Sequence, residues 1–211
     1  MLLLLLLVAG LAASPQASMV CANNASVQTQ PVVGPAESGA VLKVSTGDDH
    51  GKNTHLCVAD YQLLITHPAA SEPVVQTLLS SDGAWDRRIS VRISGFSRDG
   101  KSIFGVLVES GRNTSLNMLF EYNTTNHKVS LFDLGKQSAI CPRNCLPSAD
   151  VVGTTEDGAG VAALTFAGHC APSGRWLLNS SLERLESLPE GTVVVGLFGA
   201  TSKASASVPR D

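Results

Sequence analysis

The sequence is poor in charge and in aromatic rings. Asp, Glu, Lys and Arg make up 16% of its 211 residues, and Phe, Trp and Tyr only 5%. The 15 basic residues are scattered and outnumbered by 18 acidic ones, leaving a net charge of −3. A nucleic-acid surface needs clustered Lys and Arg to displace counterions from phosphates, so no nucleic-acid partner is expected. No apolar run reaches the roughly 20 residues that a spanning helix requires, so no membrane span is expected. Catalytic signatures are missing too: there is no Gly-x-Ser-x-Gly elbow, His-Glu-x-x-His pair, P-loop or dinucleotide fingerprint. The expectation is a protein without a cofactor and without enzymatic activity.

What is present begins with "LLLLLLVAGLAA" after Met1, twelve apolar residues. That length suits the apolar core of a signal peptide, although no Lys or Arg precedes it. Val20 and Ala22 put small residues at the −3 and −1 positions, so residues 1–22 are expected to be removed. The mature chain would then keep Cys57, Cys141, Cys145 and Cys170. In an oxidising compartment these four are disulfide candidates with three connectivities. The spacing Cys141-x-x-x-Cys145 differs from the two-residue gap of zinc and thioredoxin-like motifs. The expected location is secreted, periplasmic or extracellular.

Internal repetition organises the rest of the chain. "VVGPAESGA" from Val32, "ISGFSRDGK" from Ile93 and "VVGTTEDGA" from Val151 align, with first glycines at 34, 95 and 153 and second glycines at 39, 100 and 158. Each is followed by an apolar strand, then by a second strand–turn–strand stretch: "DYQLLITHPAASEPVVQTLL", "NMLFEYNTTNHKVSLFDL" and "RWLLNSSLERLESL". Three tandem units of four strands, a to d, are expected at about 31–88, 89–148 and 149–190 within a β-repeat domain spanning 23–199. In the middle unit "ISVRIS" alternates as a strand buried on one face, whereas "SIFGVLV" is apolar almost throughout and is expected to be buried on both. "LERLES" has partly helical spacing, but its place in the repeat makes it a strand. Residues 193–198 read as the first strand of a fourth unit, and residues 200–211 as a disordered tail.

Four-stranded units in tandem mark a β-propeller. "FSRDGKSIF", from Phe96 to Phe104, resembles the "WSPDGKxIAF" core of the WD40-like repeats in TolB-type propellers, with Phe96 in place of Trp and Arg98 in place of Pro. The resemblance implies an exported interaction or ligand-binding scaffold and transfers no catalytic residues. The expected fold is therefore all-β, with three blade-like units forming an incomplete or open propeller; a compact β-sandwich-like assembly is the alternative.

If the strands alternate in direction, the b–c and d–a connections share one end of each unit. That end would gather Asp48, His50, His55, Trp85, Asp86, Arg87, Arg143 and His169, which are the candidate ligand-binding residues. The bland reading is that long loops collect polar residues in any fold. Asp48, Asp49, His50 and His55 could chemically hold a divalent ion, yet their spacing matches no known site, and no metal is expected. His169 and Cys170 are adjacent, so on an extended chain they point to opposite sides. Asn24, Asn113, Asn123 and Asn179 begin glycosylation sequons, the latter two in equivalent c–d turns. The expected function is a non-enzymatic binding or scaffold module for a protein or a small ligand; the alternative is a divergent hydrolase with its site on the same loop face. An open row of blades also leaves strand edges unpaired, which invites self-association. Size-exclusion chromatography is expected to show species larger than a monomer, and a soluble monomer at all concentrations would count against open edges.

Overall fold

The computed structural model describes residues 26–48, 57–83, 88–111, 115–137, 140, 147–167 and 173–200. These residues form three antiparallel sheets. Sheet 1 comprises β1 (Ser26–Gln28), β2 (Val32–Val33), β3 (Gly39–Asp48), β4 (Cys57–Thr66) and β5 (Val74–Gly83). Sheet 2 holds β6 (Arg88–Phe96), β7 (Ser102–Ser110), β8 (Ser115–Asn123) and β9 (Val129–Asp133). Sheet 3 holds β10 (Ser148–Thr154), β11 (Gly160–Thr165), β12 (Gly174–Asn179) and β13 (Arg184–Ser187). Sheets 2 and 3 are meanders in which chain neighbours pair, as do β3, β4 and β5 in sheet 1, and among the described residues the only helical turns are Pro35–Glu37 and Leu134–Lys136. No described helix is long and apolar enough to cross a membrane. The expected all-β architecture of blade-like, open units is what the chain adopts.

Strand a of the first unit is interrupted. β1 and β2 pair with the same edge of β3, at Lys43–Ser45 and at Gly39–Ala40. Pro31 stands between them and has no N–H for a ladder. Thr29 continues the pairing across the break: its N–H donates to the Leu42 carbonyl at 3.0 Å, and its hydroxyl accepts from Leu42 N–H at 3.1 Å.

Sheet 2 lies between the other two, and its sequence says why. β7 and β8 are buried along nearly their whole length. Ile103, Leu107, Phe120 and Tyr122 join Leu42, Tyr61, Leu63 and Ile65 of sheet 1 in one apolar cluster. Phe104, Val106, Leu119 and Phe132 join Val151, Ala162, Leu164 and Leu178 of sheet 3 in another. Burying a large apolar side chain gains about 1.5–3 kcal/mol, and β7 gains this from Ile103 and Leu107 on one side and from Phe104 and Val106 on the other. The outer sheets alternate instead. On β3 the inward Ala40, Leu42 and Val44 are buried, while Val41 and Lys43 between them are partly exposed.

The aligned glycines are points of close approach. Gly95 and Gly153 sit at β-bulges in β6 and β10. A Cβ on Gly95 would lie 2.8 Å from both Leu197 Cβ and the Phe198 carbonyl oxygen, and one on Gly153 would lie 2.5 Å from the Val195 carbonyl oxygen. Both glycines make room for residues 193–199. This segment, read from sequence as the start of a fourth unit, makes one doubly hydrogen-bonded bridge with each of two sheets. Val195 pairs with Thr154 at 2.8 Å both ways, and Phe198 pairs with Phe96 at 2.8 and 3.0 Å. It therefore straps sheet 3 to sheet 2 at the a–b end.

The a–b turns repeat at atomic level. Ser97 hydroxyl donates to Asp99 at 2.7 Å and Gly100 N–H returns to the Ser97 carbonyl at 3.0 Å; Thr155 hydroxyl donates to Asp157 and Gly158 N–H returns to the Thr155 carbonyl at 3.0 Å. Gly100 and Gly158 take φ of +72° and +92°, where a side chain is strained. Gly95, at φ +150°, is equally intolerant. Gly95→Ala is expected to cost about 1–3 kcal/mol by overcrowding the strap. Hydrogen exchange checks this: amides of Phe96 and Phe198 should lose protection together while Leu119 keeps its own, and unchanged protection at Phe198 would show that the strap does not depend on Gly95.

Candidate functional site

Strand ends place the b–c and d–a connections at one end of the stack. In sheet 2, Arg88 opens β6 opposite Ser110, which ends β7 and faces Ser115 at the start of β8. In sheet 1, Asp48 ends β3 opposite Cys57, which faces Gly83 at the end of β5. In sheet 3, Ser148 opens β10 opposite Thr165. Of the candidate residues at this end, Asp48 is placed by its backbone as the last residue of β3. His50, His55, Trp85, Asp86, Arg87, Arg143 and His169 lie outside the described residues, as do Cys141, Cys145 and Cys170; Cys57 is placed by its backbone in β4. Among the described residues no group of three or more His, Cys, Asp or Glu could hold a metal ion.

What the fold does bring together at this end is a groove of about 310 Å³ between sheets 2 and 3. Val106, Val108, Pro147 and Ala149 give it apolar walls, and Ser90, Arg92, Asn117 and Ser148 supply polar groups. Arg92 is held in place by its neighbours. Its Nη1 lies 2.7 Å from Asp150 Oδ2 and its Nη2 donates to the Ala149 carbonyl at 3.2 Å. Asp150 also accepts from Ser94 hydroxyl at 2.6 Å. Strand β6 is thereby pinned to β10, and the guanidinium charge is matched.

Asn117 differs from the other lining residues. It is 7% exposed, and its Nδ2 donates to the Pro147 carbonyl at 2.8 Å. A carbonyl can only accept, so this bond fixes which end of the amide is the nitrogen. Oδ1 is left buried without a partner, and it is the one such side-chain atom among the described residues. An unsatisfied buried acceptor costs about 1–3 kcal/mol.

Two carboxylates are buried on opposite faces of sheet 2. Glu109, at the end of β7, is 1% exposed and accepts from Tyr61 hydroxyl at 2.6 Å and from Ser81 hydroxyl at 3.3 Å, both in sheet 1. Glu121, on β8, accepts from Ser102 hydroxyl at 2.7 Å and from Ser180 hydroxyl, the latter in the β12–β13 turn. Each acts as a polar strut to a neighbouring sheet.

At the opposite end, Tyr122 hydroxyl lies 2.7 Å from His127 Nδ1, and burial pushes the phenol up from its ordinary value. In the a–b turn, burial pushes the Asp99 carboxyl up, but hydrogen bonds from Ser97 and Lys101 and the Lys101 charge outweigh it and hold the group below its ordinary value. Its partners are the turn's own residues, so Asp99 belongs to the hairpin rather than to a site. Asn123 and Asn179 both end a strand c, and each accepts backbone N–H bonds of the following turn on Oδ1.

Sequence reasoning directed attention to the loops and passed over Asn117, Ser90, Arg92 and Ser148. One signal was available: in strands buried on both faces, Glu109, Asn117 and Glu121 are polar residues at inward registers, and a buried polar group is more informative than a buried apolar one. No protein-family model, curated protein or solved structure matches the chain.

The strut at Glu109 has a measurable consequence. Tyr61→Phe removes a hydroxyl that donates to the buried Glu109, and leaving a buried acceptor short of such a bond costs about 1–3 kcal/mol. Urea denaturation is expected to show a loss in that range with an unchanged m-value; a loss near zero would show that Glu109 is satisfied without Tyr61.

Proposed function

We propose that this chain is an exported, non-enzymatic β-repeat protein that acts as a binding module, taking its ligand at the b–c and d–a end of the sheet stack. The observation that carries this reading is the groove between sheets 2 and 3, where Asn117 Oδ1 is buried and unpartnered. Folded proteins leave few buried polar atoms unsatisfied, and those that remain mark sites of strain, solvent or function. The groove falls at the lower end of the volume range of small-molecule sites. It combines apolar walls with a few polar groups, as such sites do. Among the described residues its lining includes no His, Cys, Asp or Glu.

The resemblance of Phe96–Phe104 to WD40-like propeller repeats supports a scaffold role, and the apolar N-terminal run supports export. The connection that carries Trp85 and Arg87 leaves sheet 1 at Gly83 and enters sheet 2 at Arg88, at this same end of the stack.

A fragment screen against the ¹⁵N-labelled chain tests the reading. Binders are expected to shift the amides of Ser90, Arg92, Asn117 and Ser148 as a group. Shifts confined to other parts of the molecule would overturn the assignment.

A further inference from the structure

We infer that the outer edge of β5 is where two copies of this chain meet, by antiparallel pairing of Val74–Leu78 with the same segment of the second copy. An unpaired sheet edge presents N–H and C=O groups that another strand can take up. The edges of the three sheets are not equally guarded against this. On the strand-a side, β1 and β2 are short and separated at Pro31. β6 carries Arg88, Arg92 and a bulge, and β10 carries Asp150 and a bulge. Phe198 and Val195 also bridge to these two strands, at Phe96 and Thr154. On the strand-d side, β9 has 5 residues and ends at Asp133, and β13 has 4 and carries the Arg184–Glu186 pair. Short length, charge, bulges and cover are the devices that keep sheet edges apart.

β5 has the weakest guard of the set. It is 10 residues long and has no charged residue from Val74 to Ser81. Among the described residues it pairs only with β4. Its one bulge places Leu78 as the extra residue opposite Tyr61 and Gln62, so Val74–Thr77 is a regular stretch of edge. Val74 is 41% exposed and Val75 55%, which puts two large apolar side chains in water on this stretch. Among the described residues the one side-chain hydrogen bond here runs from Gln76 Nε2 to the adjoining Thr77 carbonyl, at 2.9 Å.

The pattern of faces selects a second copy as the occupant. Val74 and Gln76 stand opposite Ile65 and Leu63 on the inner face, which Leu78 shares in the core. Val75 and Thr77 stand opposite Leu64 and Gln62 on the outer face. Residues opposite one another in an antiparallel pair lie on the same face of the sheet. A two-fold axis at Gln76 meets this condition throughout: Val74 faces Leu78 of the second copy, Val75 faces Thr77, and Gln76 faces its own equivalent. No like charges meet, and apolar and β-branched pairs of this kind stabilise a ladder. A two-fold contact has to be self-complementary, and this uncharged segment is. Val75 also ends a row with Leu64 and Val41, both partly exposed, which a partner strand would continue. A single strand pair buries less than the roughly 1,200–2,000 Å² of stable interfaces, so the dimer is concentration-dependent.

Sedimentation velocity on the full chain, over a range of concentrations, tests the edge with charge variants. Val75 and Thr77 are both exposed, so substitutions there leave the monomer folded, which circular dichroism checks. Val75→Lys with Thr77→Lys sets lysine opposite lysine in the proposed register. Its dimer is expected to be at least about tenfold weaker than that of the unaltered chain, equivalent to roughly 1.4 kcal/mol. Mixing it with the Val75→Glu, Thr77→Glu chain is expected to restore a dimer containing one of each. Leu182→Lys, on an exposed turn, is expected to leave dimerisation unchanged. A chain that stays monomeric up to about 1 mM, where even an association of about 4.1 kcal/mol would show, overturns the proposal. So does a dimer that the paired lysines leave intact in a folded protein. Loss without rescue on mixing overturns the register at Gln76, and rescue supports both edge and register.

Discussion

Burial of sheet 2 on both faces is the constraint on which the rest of the structure depends. A strand that turns every residue away from water can exist only between two other layers. In β7 the sequence Ser102–Val108 sends Ile103 and Leu107 to one neighbour and Phe104 and Val106 to the other. Packing there is tight enough that a Cβ on Gly105 would collide with the Phe120 ring and the Arg92 carbonyl. Sheets 1 and 3 then need only one apolar face each, and their outward residues can be polar. The pattern of apolar residues thus specifies an order of layers as well as strands.

The repeat supplies the second constraint, through glycine. The step from the first to the second glycine shapes each a–b turn, and the first glycines at 95 and 153 also leave space beside strand a. Residues 193–199 use that space to bridge Thr154 and Phe96. A sequence motif that looked like turn chemistry alone therefore also determines how the units are tied together at the a–b end.

Polar groups in the seams follow a common logic with one exception. Glu109 joins sheet 2 to sheet 1, Glu121 joins it to the Ser180 turn, and Arg92 with Asp150 joins β6 to β10. In each pair both partners are satisfied; for the buried Glu109 and Glu121 the low dielectric demands it, whereas Arg92 and Asp150 remain partly open to water. Asn117 is buried in the same region, but only its amide nitrogen finds a partner. It lies at the seam where β8 meets Pro147 of the next unit.

Much of the fold was legible in the chain. Apolar alternation with a period of two, the aligned glycines at 34, 95 and 153, and the Asp-Gly turns specify strands, units and turns, because these depend on local backbone chemistry and on which residues avoid water. Even "LERLES", locally ambiguous, is placed as a strand by the repeat, and its last four residues form β13. The groove was not legible, because it needs Asn117 of β8 beside Pro147 and Ala149 of the next unit, thirty residues and more along the chain. Sequence determined which residues must be buried; only the tertiary structure decided which buried polar atoms would find partners, since that depends on the meeting of two sheets.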